Sequence, residues 1–178
     1  MAEVAGVYQA IVSKRDTRAY TDRQIPDEII RHILQAGRMA GSARAAEPVR
    51  FIVVSDPEGR KALAECGTHA PHVASCAVVV ALVLLPEFGV VGAPPSIFRG
   101  PFDAGRAAQN MMLAAWEEGI TSCPTRLQDE EKVARLLTLP EGHVIINVIS
   151  FGYPSEDEPG RPSRPRAGFD EYVHWEHW

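Results

Sequence analysis

The chain has 178 residues, 46% of them hydrophobic and 23% charged, and a formal net charge of −5. That length and balance describe one folded domain with a sizeable core and exclude a disordered chain. The acidic balance argues against nucleic acid or an anionic membrane surface as a partner, because both reward a basic face.

In chain order, "MAEVAGVYQA" lacks a basic segment followed by an apolar one, so no signal peptide is expected. Val4, Val7, Tyr8, Ile11 and Val12 recur at helical spacing and predict a helix over 3–14. Pro26, followed by Asp27 and Glu28, starts a second helix with an apolar stripe of Ile29, Ile30, Ile33, Leu34 and Met39. "RFIVVS" reads as a strand over 50–55, and Asp56 with Pro57 caps the next helix. "CAVVVALVLLP" is about half the length of a membrane span and reads as a buried strand over 76–85. The Pro- and Gly-rich stretch 86–101 reads as a loop or flap. Asp103 is expected to cap a helix that ends at Gly119. Its alanine-rich side (Ala104, Ala107, Ala108, Ala114, Ala115) suits close packing at a centre or interface. "DEEKVARLLTLP" predicts one more short helix and "HVIINVISFGYP" a further strand. From Ser155 onward the chain reads as an extended tail ending in an aromatic cluster, fit to dock on a partner subunit. Helices and buried strands alternate, so the class is α/β or α+β, a sheet wrapped by helices.

Nucleotide-binding glycine loops and the G-x-S-x-G elbow are absent. Cys66, His69, His72 and Cys76 carry metal-capable atoms, but they crowd into eleven residues around Pro71, unlike two separated ligand pairs. Buried cysteines and surface histidines are the expectation there, with no metal. Three cysteines at irregular spacing make no disulfide framework, and a reducing cytoplasm is expected. Two basic clusters remain. Lys14, Arg15 and Arg18, with Asp16 among them, suit the negative end of the first helix. Arg161, Arg164 and Arg166 form a second cluster among prolines, and the two together could converge on a phosphate.

"SKRDTRAYTDRQIPDEIIRHILQAGRMAGSARAAEPVRFIVVSDPE", "DAGRAAQNMMLAAWEEGITSC", "VISFGYP" and "RPRAGFDEYVHWEHW" together resemble, in order and over nearly the whole chain, the FMN-dependent nitroreductase family. The resemblance implies a single α+β domain over 1–178 with a central, mostly antiparallel sheet wrapped by helices. It further implies an intertwined homodimer with FMN at the interface and residues 155–178 docking on the partner. The implied activity is hydride transfer from NADH or NADPH, through FMN, to a small electrophilic acceptor such as a nitroaromatic or quinone, by a ping-pong cycle. A flavin-binding or dimeric member without turnover, or a flavin-fragmenting or dehalogenating relative, is the alternative. Carried over by position, the cofactor-binding residues are Lys14, Arg15, Asp16, Arg18, Ser42, Ala43, Ala45, Cys123, Pro124, Thr125, Arg126, Arg164 and Arg166, with Phe98 and Arg99 as substrate contacts. No acid or base side chain is assigned. The departures are Gly41, Ala45, Glu47 and Val49, where the family has proline, asparagine, glutamine and tryptophan, and Asp16 in place of serine. Asp16 is expected to orient Arg15 or Arg18, or to bond the cofactor's hydroxyls.

Overall fold

The structure, a computed structural model, describes residues 6–88, 99–156 and 166–178. The first helix, α1, is described over Val7–Ser13. The second, α2 (Asp27–Arg38), opens on the two carboxylates after Pro26 and buries Ile33. Strand β1 (Val49–Val54) leads into α3 (Pro57–Ala64), whose cap is Asp56, accepting from the Gly59 amide at 2.7 Å. A short α4 (Pro71–Ser75), which the pattern does not announce, delays β2 to Val78–Leu84.

Helix α5 runs Arg99–Glu117, so Asp103 lies inside it and does not cap it. Residues after Pro101 carry the apolar stripe that made the helix visible, whereas its first turn belongs to the stretch read as a flap. The helix ends where Gly119 adopts φ +76. The Gly119 amide then bonds the Trp116 carbonyl and the Ile120 amide the Ala115 carbonyl, a Schellman turn. That turn delivers the chain into β3 (Thr121–Thr125), a strand absent from the sequence reading. Helix α6 (Glu130–Leu136) is capped by Asp129, strand β4 spans Val144–Gly152, and α7 (Phe169–Tyr172) is one turn within the tail.

The four strands are ordered β1-β2-β4-β3 and every neighbouring pair is antiparallel. Every residue of β2 is buried because both faces are covered. Strand alternation sorts them: Val78, Val80, Leu82 and Leu84 join the core shared with α2 and α5, while Val79 and Ala81 join the core under α3, α4 and α6. Hence an apolar run reads as continuous although the sheet is antiparallel. The alanine side of α5 is central, with Ala104, Ala107 and Ala115 buried. In contrast, α1 exposes Val7, Tyr8, Ile11 and Val12, and the tail exposes Phe169, Tyr172, Trp175 and Trp178.

Candidate functional site

Residues 14–18 leave α1 in extended form and lie along the outer edge of β3. Asp16 bridges Ser122, and the Thr17 amide donates to the Ser122 carbonyl at 3.2 Å. A buried polar knot holds this seam. Tyr20 Oη donates to the Thr17 carbonyl at 2.7 Å and accepts from Ser150 Oγ at 2.7 Å, the Ser150 hydroxyl having the Cys123 carbonyl at 3.2 Å as its alternative acceptor. Gly152 makes room for it, since a Cβ there would come within 2.7 Å of the Tyr20 ring.

The basic residues have distinct partners. Lys14 Nζ pairs with Asp16 and lies 3.5 Å from Met112 Sδ. Asp16 therefore engages Lys14, and not Arg15 or Arg18 as expected, because the extended turn from 14 to 16 puts both side chains on one side of the strand. Arg15 folds back on the last carbonyls of α1, Val12 and Lys14, at 2.8 Å each, as the helix-end reading has it. Among the described residues no carboxylate pairs with Arg15. Arg18 Nε lies 3.4 Å from Cys123 Sγ.

Strand β3 pairs with β4 on one side and keeps the other edge for this seam. The Thr17–Ser122 bond shows that Ser122 turns its main-chain groups outward, so alternation turns those of Pro124 outward too. Pro124 has no amide and offers only a carbonyl, which blunts the edge against further pairing. Ser122 Oγ is buried without a hydrogen-bond partner among the described residues, on the same sheet face as its register partner Phe151. Thr125 Oγ1 bonds His72 Nε2 at 2.8 Å, and Arg126 extends into solvent to meet Glu130 on α6 at 2.8 Å.

Ser42, Ala43 and Ala45 stand on a separate loop. Arg44, Ala45 and Glu47 have φ of 56, 52 and 46, the left-handed region that costs a non-glycine residue about 1–2 kcal/mol. The loop is pinned to offset that strain: Ser42 Oγ accepts from the Glu47 amide at 2.9 Å, and buried Asp103 accepts from the Ala43 amide at 3.1 Å. Such clustered strain marks a loop shaped for a task. Gly41, Ser42, Val49 and Asp103 also line a cavity of about 620 Å³ between α2, β1 and α5. Asp103 and Met112 stand nine positions apart on α5, about 13 Å along its axis. One chain thus holds the Ser42 loop well away from Lys14, and among the described residues the two parts share no hydrogen bond.

Of the other candidates, Phe98 and Arg164 lie outside the described residues, as does Arg161. Arg99 is exposed at the start of α5. Arg166 is exposed and makes no hydrogen bond or ion pair among the described residues. The metal-capable group resolves into separate roles. Cys66 and Cys76 are buried thiols bonded to helix carbonyls, and burial pushes Cys76 up to about 11. His69 is exposed, but His72 is buried at 4% exposure, which corrects the expectation of a surface residue. Packing of α4 on α3 and the His72–Thr125 hydrogen bond decide this, and nothing local in the sequence separates the two histidines. With Arg18, Thr68, Pro71 and Ser75 they line a cleft of about 470 Å³ beside Cys123 and Thr125.

This arrangement — a basic strand clipped to a sheet edge, and a strained serine loop on the central helix — coincides with a family-wide match. The profile of the nitroreductase family covers residues 11–153. The chain belongs to the nitroreductase family. A provisionally named NADH dehydrogenase/NAD(P)H nitroreductase of Archaeoglobus fulgidus is 32% identical over 177 residues, 94% of this chain and 96% of its own. Among solved structures, the NADPH:FMN oxidoreductase of Vibrio harveyi, complexed with NAD+, superposes with a TM-score of 0.83 at 26% identity. That match covers 96% of this chain and 77% of the other. Nitroreductase A of Vibrio parahaemolyticus gives 0.84 at 26% identity, over 96% and 76% of the two chains. As a nitroreductase-family member the protein is an oxidoreductase. Among the described residues, no helix is long and apolar enough to cross a membrane.

Proposed function

We propose that this nitroreductase-family protein binds FMN, takes hydride on it from NADH or NADPH, and passes hydride to a small electrophilic acceptor such as a nitroaromatic or quinone. FMN supplies the hydride chemistry and the chain supplies position and electrostatics. One observation carries the reading: the seam of residues 14–18 on β3 brings Arg15, which pairs with no carboxylate among the described residues, beside the strand that holds the buried, orphaned Ser122 hydroxyl. A flavin phosphate suits Arg15 and Lys14, since guanidinium forks bond phosphate oxygens strongly and both lie where the chain leaves α1. The ring's polar edge suits β3, where Ser122 and the main chain of residues 122–126 supply the donors and acceptors. Arg166, and Arg164 beside it in sequence, would complete the phosphate contacts.

The reading includes a homodimer. The Ser42 loop stands about 13 Å along α5 from Lys14, so a second copy is the economical way to bring that loop to a flavin. The exposed apolar side of α1 and the exposed Phe169, Tyr172, Trp175 and Trp178 of the tail supply surface for it. The ping-pong order suits one cofactor serving both half-reactions at one place, and the acceptor class is the one that the resemblance to the family implies. Three unpaired cysteines are in keeping with a reducing cytoplasm. A second reading, a flavin-binding member without turnover, is favoured by Ala45 alone: its φ of 52 is one that asparagine adopts more readily, yet alanine offers no hydrogen bond there.

The test is an FMN titration of the purified protein, followed by thermal shift and flavin fluorescence. FMN raises the melting temperature by mass action. Arg15→Ala weakens binding by about tenfold, the loss of one charge-assisted contact, and flattens its salt dependence. A wild-type protein that neither takes up FMN nor shifts in melting temperature overturns the reading.

A further inference from the structure

Arg106 stands on the outer side of α5, against the loop that begins at Gly41. A Cβ on Gly41 would run into Arg106 Nη2 and come within 3.2 Å of its Cζ and 3.4 Å of Nη1, so the bare main chain there seats the guanidinium. Gly41 has no left-handed φ, so the position uses the missing side chain and not backbone freedom. It is also a position where the chain departs from the family, whose proline would put a ring where the guanidinium lies.

The guanidinium is held in place, yet its donors are unspent. Asp103, three residues earlier and buried, faces Nη1 with Oδ1 at 3.6 Å, beyond hydrogen-bond reach, while its Oδ2 accepts from the Ala43 amide. Asp103 thus offsets much of the charge and leaves the N–H fork open. Among the described residues Arg106 makes no hydrogen bond, and its side chain is 45% exposed. Its Cζ lies 5.8 Å from the centroid of the Phe102 ring, a cation–π distance. Phe102 is 68% exposed, and a Cβ on Gly105 would meet nothing within 4 Å. Spacings of three and four put residues 102, 105 and 106 on one side of the helix. An exposed ring, an open step and an oriented fork therefore lie side by side next to the Ser42 loop.

We infer that Phe102 and Arg106 form a binding platform for an aromatic acceptor that bears a carboxylate, and that Arg106 selects anionic acceptors over neutral ones. The inference rests on the FMN reading above, in which a second copy brings the Ser42 loop to the flavin. The platform travels with that loop to the place where the acceptor receives hydride. A guanidinium fork bonds both oxygens of a carboxylate at once, and the exposed ring beside it covers the aromatic part. Because the fork is seated before substrate arrives, binding adds little ordering cost. With Asp103 already balancing the charge, the gain comes from directed hydrogen bonds and amounts to about tenfold.

The experiment compares FMN-loaded wild type with Arg106→Gln and Arg106→Lys, using para-nitrobenzoate and its neutral counterpart para-nitrobenzamide as acceptors and NADH as the donor. The readout is the ratio of kcat/KM for the two acceptors. Arg106→Gln is expected to lower that ratio about tenfold, through the KM for the benzoate. Arg106→Lys, which keeps the charge but not the fork, restores part of it. Gly41→Ala, which displaces the guanidinium without removing it, moves the ratio in the same direction by less. An unchanged ratio in Arg106→Gln overturns the inference. So does an equal loss for both acceptors, which would make Arg106 a support of the loop. A loss seen with NADPH but not with NADH assigns the guanidinium to the dinucleotide's phosphate and overturns it as well. A wild type that loads FMN but reduces neither acceptor overturns this inference alone, whereas one that binds no FMN overturns the broader reading with it.

Discussion

Tyr20 shows how much of the site depends on one hydroxyl. It donates to the Thr17 carbonyl and accepts from Ser150 Oγ, which lies within reach of the Cys123 carbonyl, so a single knot sets the spacing of the seam. Tyr20→Phe leaves those polar groups short of a partner inside the protein, at a cost of about 1–3 kcal/mol. Its melting temperature is expected to fall and its FMN affinity to fall further than stability explains, read by thermal melts and fluorescence titration. Cys76 makes a different, pH-dependent contribution. Burial pushes its thiol to about 11, against about 9 when exposed, with Arg60 opposing the shift. The folded state therefore favours the protonated thiol, and that stability is complete below pH 9 and lost as pH rises through 11, about 2–3 kcal/mol in all. Denaturant unfolding of wild type and Cys76→Ala between pH 8 and 11 checks this: the wild-type slope is expected to be steeper. Of these residues, Lys14, Arg15 and Asp16 could be picked out from sequence as a charged cluster, but their partners could not. A two-residue spacing does not say that Asp16 turns to Lys14, and no pattern buries His72 while exposing His69.

At the scale of elements, local signals that close on themselves were readable and signals that depend on distant partners were not. Asp56 before Pro57 caps α3 as expected, and the short helix expected from "DEEKVARLLTLP" forms with Asp129 as its cap. β3 escaped because Pro124 lies in it and its five residues alternate poorly; its strand character comes from β4 on one side and residues 16–17 on the other. Asp103 looks like a cap in sequence but is an interior residue of α5 whose buried carboxylate anchors another element. It accepts from the Ala43 amide and faces Arg106 Nη1 at 3.6 Å. Asp103→Ala removes a charge-assisted bond to a loop with three left-handed residues, so about 2–3 kcal/mol of anchoring is lost. Hydrogen exchange is expected to quicken in residues 41–48 without changing in the β2–β4 ladder. Equal quickening in both would mean that Asp103 supports the fold and not the loop.

For the whole molecule, the two-sided burial of β2 organises everything else, because it puts α5 across one face of the sheet and the α3–α4–α6 layer across the other. The fold class and family were legible because the order of loosely written segments spans the chain, and order is a property of the fold as a whole. The residues of the proposed site could be named from sequence but not placed, since the sequence does not disclose that one chain holds the Ser42 loop and the Lys14 seam some way apart along α5. The central claim is that this chain loads FMN and reduces it with NADH or NADPH. Anaerobic titration of the FMN-loaded protein, watched at the flavin's visible absorption band, tests it directly. The expected result is bleaching by one equivalent of NADH or NADPH and return of colour when a quinone or nitroaromatic is added. A yellow protein that neither dinucleotide bleaches would contradict it.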